Sequence, residues 1–154
     1  LEKTDFKHST QIRVRSFDVD SQGIVHNAVY LQYFEIGRIE YRRHFGISLN
    51  SNGVFSDGMK VVVARNEIDY FKPAFLDDVL SIHTKISWIK NSSFCFEQLI
   101  TNDSSGDKIC ECKGILVNLN SDTNIPELLN AEFVKQIEVF EPNLKHKLKC
   151  LNRI

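Results

Sequence analysis

Residues 17–35 read FDVDSQGIVHNAVYLQYFE. The segment opens on the acidic turn residues Asp18 and Asp20, then passes Gly23 and the branched pair Ile24-Val25. It reaches His26-Asn27 just before a helical pattern begins. Upstream, Gln11 to Phe17 alternates, with Ile12 and Val14 on one side and Arg13 and Arg15 on the other. Such alternation marks a half-buried strand. A strand therefore turns through an acidic loop into a helix. Asp20 lies one loop upstream of the helix N-terminus, where backbone N–H groups lack intrahelical acceptors. A carboxylate beside such amides forms a pair that can attack and polarise a carbonyl group.

From Ala28 to Phe45 the period is helical. Tyr30, Phe34, Gly37 and Tyr41 share one stripe, Val29, Tyr33 and Phe45 flank it, and Arg38, Arg42 and Arg43 take the opposite side. Asn27 suits the N-cap, since its side chain can accept from an orphan N–H. Gly37 costs about 1 kcal/mol relative to alanine inside a helix, which signals close approach of another backbone. Gly46 supplies the stop. Residues 47–59 are a Ser/Asn/Gly-rich connection with room for a turn of helix.

Four strand-like runs follow. Lys60 to Phe71 sets Val62, Ala64, Asn66, Ile68 and Tyr70 in alternation, and Asp78 to Ile89 does the same with Leu80, Ile82, Thr84, Ile86 and Trp88. Ser93 to Thr101 aligns Phe94, Phe96 and Ile100, and Lys108 to Leu119 is the last long run. Short polar turns between them imply an antiparallel meander. Pro126, after Asn124, suits the first position of a second helix, which Leu129, Phe133 and Ile137 carry to about Phe140. Residues 1–10 read as a lead-in, and the basic tail at 142–154, with Lys145, Lys147, Lys149 and Arg153, as solvated. The expectation is one α+β domain over residues 1–154 with its core at about 10–140. One helix covers one sheet face, and an oligomer partner is the economical cover for the other.

The 154 residues are 42% hydrophobic, enough for one core. A net charge of -1 gives no sign of nucleic-acid binding. No apolar run approaches the roughly 20 residues needed to span a bilayer. The polar opening, Leu1 to Thr10, carries no signal-peptide pattern, and a first residue other than Met leaves room for sequence upstream. Cys95, Cys110, Cys112 and Cys150 lack CxxC spacing. Cys110 and Cys112 read as small apolar packing groups, which favours a reducing, cytoplasmic setting over a disulfide. Asp18, Asp20, Gln22 and Gly23 mimic the start of a calcium loop, but its twelfth position would be Val29 rather than Glu. No metal site is expected.

The order of elements together with FDVDSQGIVHNAVYLQYFE resembles the 4-hydroxybenzoyl-CoA thioesterase family of hotdog-fold proteins. That family's pattern is an Asp, two variable residues, Gly, a branched or His position, Val, then a short polar or aromatic pair before the helix. Asp20, Gly23, Val25 and Asn27 match it, followed by Ala28-Val29-Tyr30 and Tyr33-Phe34-Glu35. YFKPAFLDDVLSIHTKIS and CKGILVNLN are similar to family strands, so the resemblance spans roughly residues 10–135.

The resemblance implies a curved antiparallel sheet wrapped around one long helix, with a short C-terminal helix. It implies hydrolysis of acyl-CoA or acyl-carrier-protein thioesters at the interface of a homodimer or homotetramer. Coenzyme A would arrive as part of the substrate, with no separate cofactor and with neither nucleic acid nor membrane as partner. By position, Asp20 matches the catalytic carboxylate and Asn27 the residue whose amide binds the thioester oxygen, with Ala28 beside it. Lys90 lies where relatives place basic residues against CoA phosphates, with Arg65 and Lys60 as weaker candidates. Position 26 varies among relatives, so His26 bears on the acyl pocket.

A free aspartate titrates near 3.9, so Asp20 would serve either as a direct nucleophile or by aligning water. His26 is a substrate or water contact, or an exposed loop histidine. Tyr30 and Phe34 are core or pocket residues. Asn66 and Ser93 line the partner's side of the cleft or face solvent. Glu35 orients water, or pairs with Arg38 at i+3. The alternative to an enzyme is a non-catalytic hotdog module that binds acyl-CoA or acyl-carrier protein. A structural homodimer without ligand is the third reading.

Overall fold

Short turns dictate the sheet. The Lys90 N–H donates to Ser93 O at 2.8 Å, so β3 (Val79–Ile89) must fold back onto β4 (Ser93–Asn102) antiparallel. Asn102 closes the next turn by accepting from the Ser104 N–H at 2.9 Å, which delivers β5 (Lys108–Leu119) beside β4. In the computed structural model, which describes residues 1–147, β2 (Lys60–Tyr70) joins the far side of β5 and β1 (His8–Arg13) the far side of β3. Helix α1 (Val29–His44) lies across β1, β3 and β4, and α2 (Ala131–Phe140) follows β5. This is the α+β hotdog arrangement that the resemblance implied, except that β2 leaves the expected four-strand meander and pairs with β5 rather than β3.

Packing explains how α1 sits. Its buried face carries Tyr30, Tyr33, Phe34, Gly37 and Tyr41, close to the stripe read from the sequence. A Cβ on Gly37 would stand 2.6 Å from Ile82 Cγ2, 2.7 Å from Gln98 Nε2 and 2.9 Å from Thr84 Oγ1. The close approach is therefore to sheet side chains rather than to another backbone. Gln98 Nε2 fastens the contact by donating to the Phe34 carbonyl at 2.9 Å. One apolar cluster joins Tyr33, Phe34, Ile82, Ile100, Cys110 and Cys112, and a second joins Tyr41, Met59, Phe94, Phe96, Phe133 and Ile137. Burying each such side chain contributes about 1.5–3 kcal/mol.

Two bulges correct the expected strand faces. Val63 pairs with Leu116 and Arg65 with Ile115, which leaves Ala64 as an extra residue. Val61 and Val63 consequently share the inner face with Asn66, Ile68 and Tyr70, and Val62 and Ala64 turn outward. A similar shift between Ile86 and Trp88 turns Trp88 away and brings Ile89 into the core.

Other boundaries moved for identifiable reasons. The lead-in is docked: Lys108 Nζ reaches Glu2 Oε1 at 2.7 Å, and β1 already begins at His8. Arg42 is buried rather than solvated. It pairs with Asp57 and lies 4.7 Å over the rings of both Phe55 and Phe133. The 47–59 connection thereby becomes a hairpin with a Leu49–Phe55 bridge in place of a helical turn. Pro126 bridges to Leu119, so the second helix starts later, where the Asn130 side chain accepts from the Glu132 and Phe133 amides. Part of the tail is strand: β6 (Lys145–His146) runs parallel to β3 beyond the end of β1. Lys149, Cys150 and Arg153 lie outside the described residues.

Candidate active site

The loop between β1 and α1 is built around Asp18. Its buried carboxylate accepts from the Arg15 N–H at 2.9 Å and the Tyr33 hydroxyl at 2.8 Å, and its carbonyl accepts from the His26 N–H at 2.9 Å. Within this frame the Asp20 N–H donates to Ile24 O at 2.8 Å, and Gly23, at φ +79, donates back to Asp20 O at 3.0 Å. Only glycine adopts that φ without a Cβ penalty, which explains the tight turn. The Val25 N–H then ties the loop to Ala74 O at 2.9 Å.

Asp20 Oδ1 accepts from the Gln22 N–H at 2.8 Å, and Oδ2 has no partner among the described residues. The carboxylate faces a cleft of about 410 Å³ whose walls include Asn27, Tyr30, Tyr70, Phe71 and Lys72. Tyr30 stacks edge-on to Tyr70 at 5.6 Å, and burial pushes its phenol up to about 12, so it is neutral at physiological pH.

Asn27 is not the side-chain cap. Ala28 occupies the N-cap position in a helical conformation, and His26 Nδ1 accepts the Ala28 N–H at 3.0 Å. The imidazole thus takes the role expected of the Asn27 amide group. Because Nδ1 accepts, the neutral ring carries its proton on Nε2. The Ala28 amide is occupied, whereas the Asn27 N–H has no acceptor among the described residues. Asp20, with one carboxylate oxygen unpartnered, and Asn27, with its amide unpartnered among the described residues, therefore line the same cleft. Such a pair can activate a nucleophile and hold a developing oxyanion.

The remaining candidates are dispersed. His26 is exposed at the loop surface. Phe34 is fully buried in the core and is not part of the cleft wall. Asn66 lies midway along β2, opposite Gly114. Ser93 pairs with Val117 and hence aligns with Val62, whereas the cleft lies at Tyr70. Those β2 positions are roughly 23 Å apart at a strand's rise per paired residue, since the bulge residue adds no step. Lys90, in the turn before Ser93, shares that far end and has its Nζ 5.2 Å from the Trp88 ring. Within one chain, Lys90 and Ser93 thus stand away from Asp20.

Tyr70, Lys72 and Asp18 were not singled out from sequence. Tyr70 read as one member of an alternating strand and Asp18 as part of a calcium-loop mimic. Tyr70 reaches the loop from β2, 43 positions along the chain, so local patterns carry no trace of its bond to Asn27. A second cavity of about 250 Å³ lies between α1, the 47–59 hairpin and the sheet, with Glu35, Arg38, Val63, Phe94 and Phe96 on its walls. Glu35 and Arg38 make no ion pair among the described residues. Burial lowers the Arg38 pKa, and the Glu35 charge nearby opposes that shift. The inner face of β2 beside α1 is left open, with Val63 44% and Tyr70 50% exposed.

The sequence model of the thioesterase-like superfamily matches residues 14–148. The acyl-CoA thioester hydrolase YbgC of Escherichia coli is 34% identical over 91 residues, 59% of this chain and 66% of that protein. The long-chain acyl-CoA thioesterase FadM of the same species is 26% identical over 129 residues, 84% of this chain and 96% of that protein. Among solved structures, a Thermus thermophilus thioesterase complexed with coenzyme A and Zn superposes with a TM-score of 0.76 at 30% identity. That match covers 90% of this chain and 97% of the other.

Proposed function

The chain belongs to the thioesterase-like superfamily, and from that premise we propose that it hydrolyses an acyl-CoA or acyl-carrier-protein thioester to a carboxylic acid and a free thiol. The observation that carries this reading is the shared cleft of the Asp20 carboxylate and the acceptor-free Asn27 amide. Its volume, about 410 Å³, falls in the usual range for small-molecule sites.

Asp20 Oδ2 either attacks the thioester carbon, expelling the thiolate and forming an acyl anhydride that water then cleaves to the free acid and the restored carboxylate, or aligns a water for direct attack on that carbon with loss of the thiolate. In both routes charge builds on the carbonyl oxygen, and the Asn27 N–H is the donor available to it. The helix N-terminus adds a favourable field for that charge. His26, exposed on the loop next to Asn27, is in this reading a contact for substrate or water. Tyr30 supplies apolar wall.

The working unit in this reading is a homodimer. β2 is an edge strand with one unpaired side, and pairing with a second copy satisfies it. A two-fold axis there runs the two β2 strands antiparallel, so each Tyr70 end lies near the partner's Val62 end. That brings the far-end candidates, Lys90 and Ser93, toward the neighbouring cleft, where Lys90 can meet CoA phosphates.

Thiol release over short, long and aromatic acyl-CoAs, with wild type and Asp20→Asn, tests the proposal. Wild type is expected to turn over part of the panel, and Asp20→Asn to lose at least about a hundredfold in kcat. Full activity in the variant would remove Asp20 from the chemistry. Saturable binding without turnover in wild type would favour the non-catalytic module. In single-turnover hydrolysis in ¹⁸O water, label in the Asp20 side chain identifies an anhydride opened at the aspartyl carbon, and trapping of an acylated Asp20 identifies one opened at the acyl carbon.

A further inference from the structure

We propose that the Tyr70 hydroxyl is a positioning group for the oxyanion amide, acting through the backbone of Asn27. The inference rests on the thioesterase reading above and adds a residue to its machinery.

The Tyr70 hydroxyl donates to the Asn27 carbonyl at 3.1 Å. That carbonyl belongs to the peptide unit whose N–H is that of Ala28, and this N–H is held by His26 Nδ1 at 3.0 Å. The peptide between Asn27 and Ala28 is thus gripped at both ends. The preceding peptide contains the Asn27 N–H, and its oxygen, on His26, accepts from Val29 at 2.9 Å. Both planes flanking the Asn27 Cα are therefore fixed, and the free N–H has one direction to take. Tyr70 comes from β2, far from the loop in sequence, so it is the only one of these three holds that lies outside the loop and the first turn of α1.

The bond has an electrostatic side as well. An uncovered Asn27 carbonyl at the cleft would oppose a growing negative charge nearby. A donor on that carbonyl covers its lone pair and polarises the connected chain of bonds. Edge-on contact of the Tyr70 ring with Tyr30 at 5.6 Å restricts the phenol to the region of that carbonyl.

Tyr70→Phe removes the hydroxyl and keeps the ring. With the acyl-CoA that wild type hydrolyses fastest, kcat is expected to fall about fivefold to tenfold, the scale of one neutral hydrogen bond. KM should stay within about twofold, because the lost support acts on the transition state. Amide resonances of Asn27 and Ala28 should shift while that of Phe133 stays in place. Should Tyr70→Phe not fold, O-methyltyrosine and 4-aminophenylalanine at position 70 carry the test. The first lacks the donor and should be slow, and the second keeps one and should recover the rate. Unchanged kcat without the donor, or a fall that the amino variant fails to restore, would overturn the proposal. Asp20→Asn is measured alongside. If it is inactive and Tyr70→Phe is fully active, only the positioning role fails; if Asp20→Asn is fully active, Asp20 leaves the chemistry; and if wild type turns over none of the panel, the thioesterase reading itself fails.

Discussion

The Tyr33 hydroxyl donates to Asp18 Oδ2 at 2.8 Å, and this buried bond fastens α1 to the loop that carries Asp20. Burial works against the Asp18 charge, but the Arg15 amide, the Tyr33 hydroxyl and the Arg15 guanidinium outweigh it and hold the carboxyl below its usual range. A depressed carboxyl contributes stability above its unfolded pKa, about 3.9, and loses it as pH falls through the folded value. Tyr33→Phe should cost about 1.5–3 kcal/mol at pH 7, as expected for a hydrogen bond to a charged group. Urea unfolding at neutral and strongly acidic pH checks the sign: the deficit should shrink on acidification.

Gly37→Ala is expected to destabilise the fold even though alanine is the better helix former. The propensity gain is about 1 kcal/mol. The added Cβ would lie 2.6 Å from Ile82 Cγ2 and 2.9 Å from Thr84 Oγ1, deep in the helix–sheet seam. Overpacking of this kind costs about 1–3 kcal/mol, and a lower denaturant midpoint is the readout.

Arg42 and Asp57 form a nearly dry ion pair, with side chains 3% and 11% exposed. Arg42→Met strands the Asp57 carboxylate, and Asp57→Leu strands the guanidinium, so each should cost about 3–5 kcal/mol. The double variant should regain much of that loss. A double-mutant cycle on unfolding free energies measures the coupling directly.

Val62→Lys together with Val63→Lys places charge on the open edge of β2. Sedimentation should detect a wild-type dimer and a variant whose dissociation constant is raised at least about tenfold. Thiol release should decline in parallel, since residues from both copies build the proposed site. A monomeric, fully active wild type would contradict that arrangement.

Much of this was legible in the sequence. Alternation located the long strands, and short turns set β3, β4 and β5 side by side; the expected meander failed at β2, which crosses to pair with β5 rather than β3. The α1 stripe and the Asp20 loop were equally plain. What escaped was decided by contacts across the chain. Arg42 read as solvated because its neighbours on the helix are polar, and its partner Asp57 lies beyond a helix stop. Asn27 lost the cap to His26 because side-chain acceptors compete for the same amide. The second helix started late because Pro126 was recruited to bridge Leu119. Tyr70 looked like any inward strand residue until its hydroxyl was placed on the Asn27 carbonyl.

The extra residue at Ala64 sets the parity of β2. It lets Val61 and Val63 share a side with Asn66, Ile68 and Tyr70, although an uninterrupted strand would put the two groups back to back. Were Ala64 drawn into regular pairing, one half would have to invert, whereas a chain lacking Ala64 would keep every face as it is. Inverting the C-terminal half would swing Glu67 and Asp69 toward Asp20 and carry the Tyr70 phenol out of reach of Asn27. Three carboxylates would then crowd the mouth where the proposed polyanionic thioester enters, and a slip that absorbed the bulge would close the site without changing a single residue of the sequence.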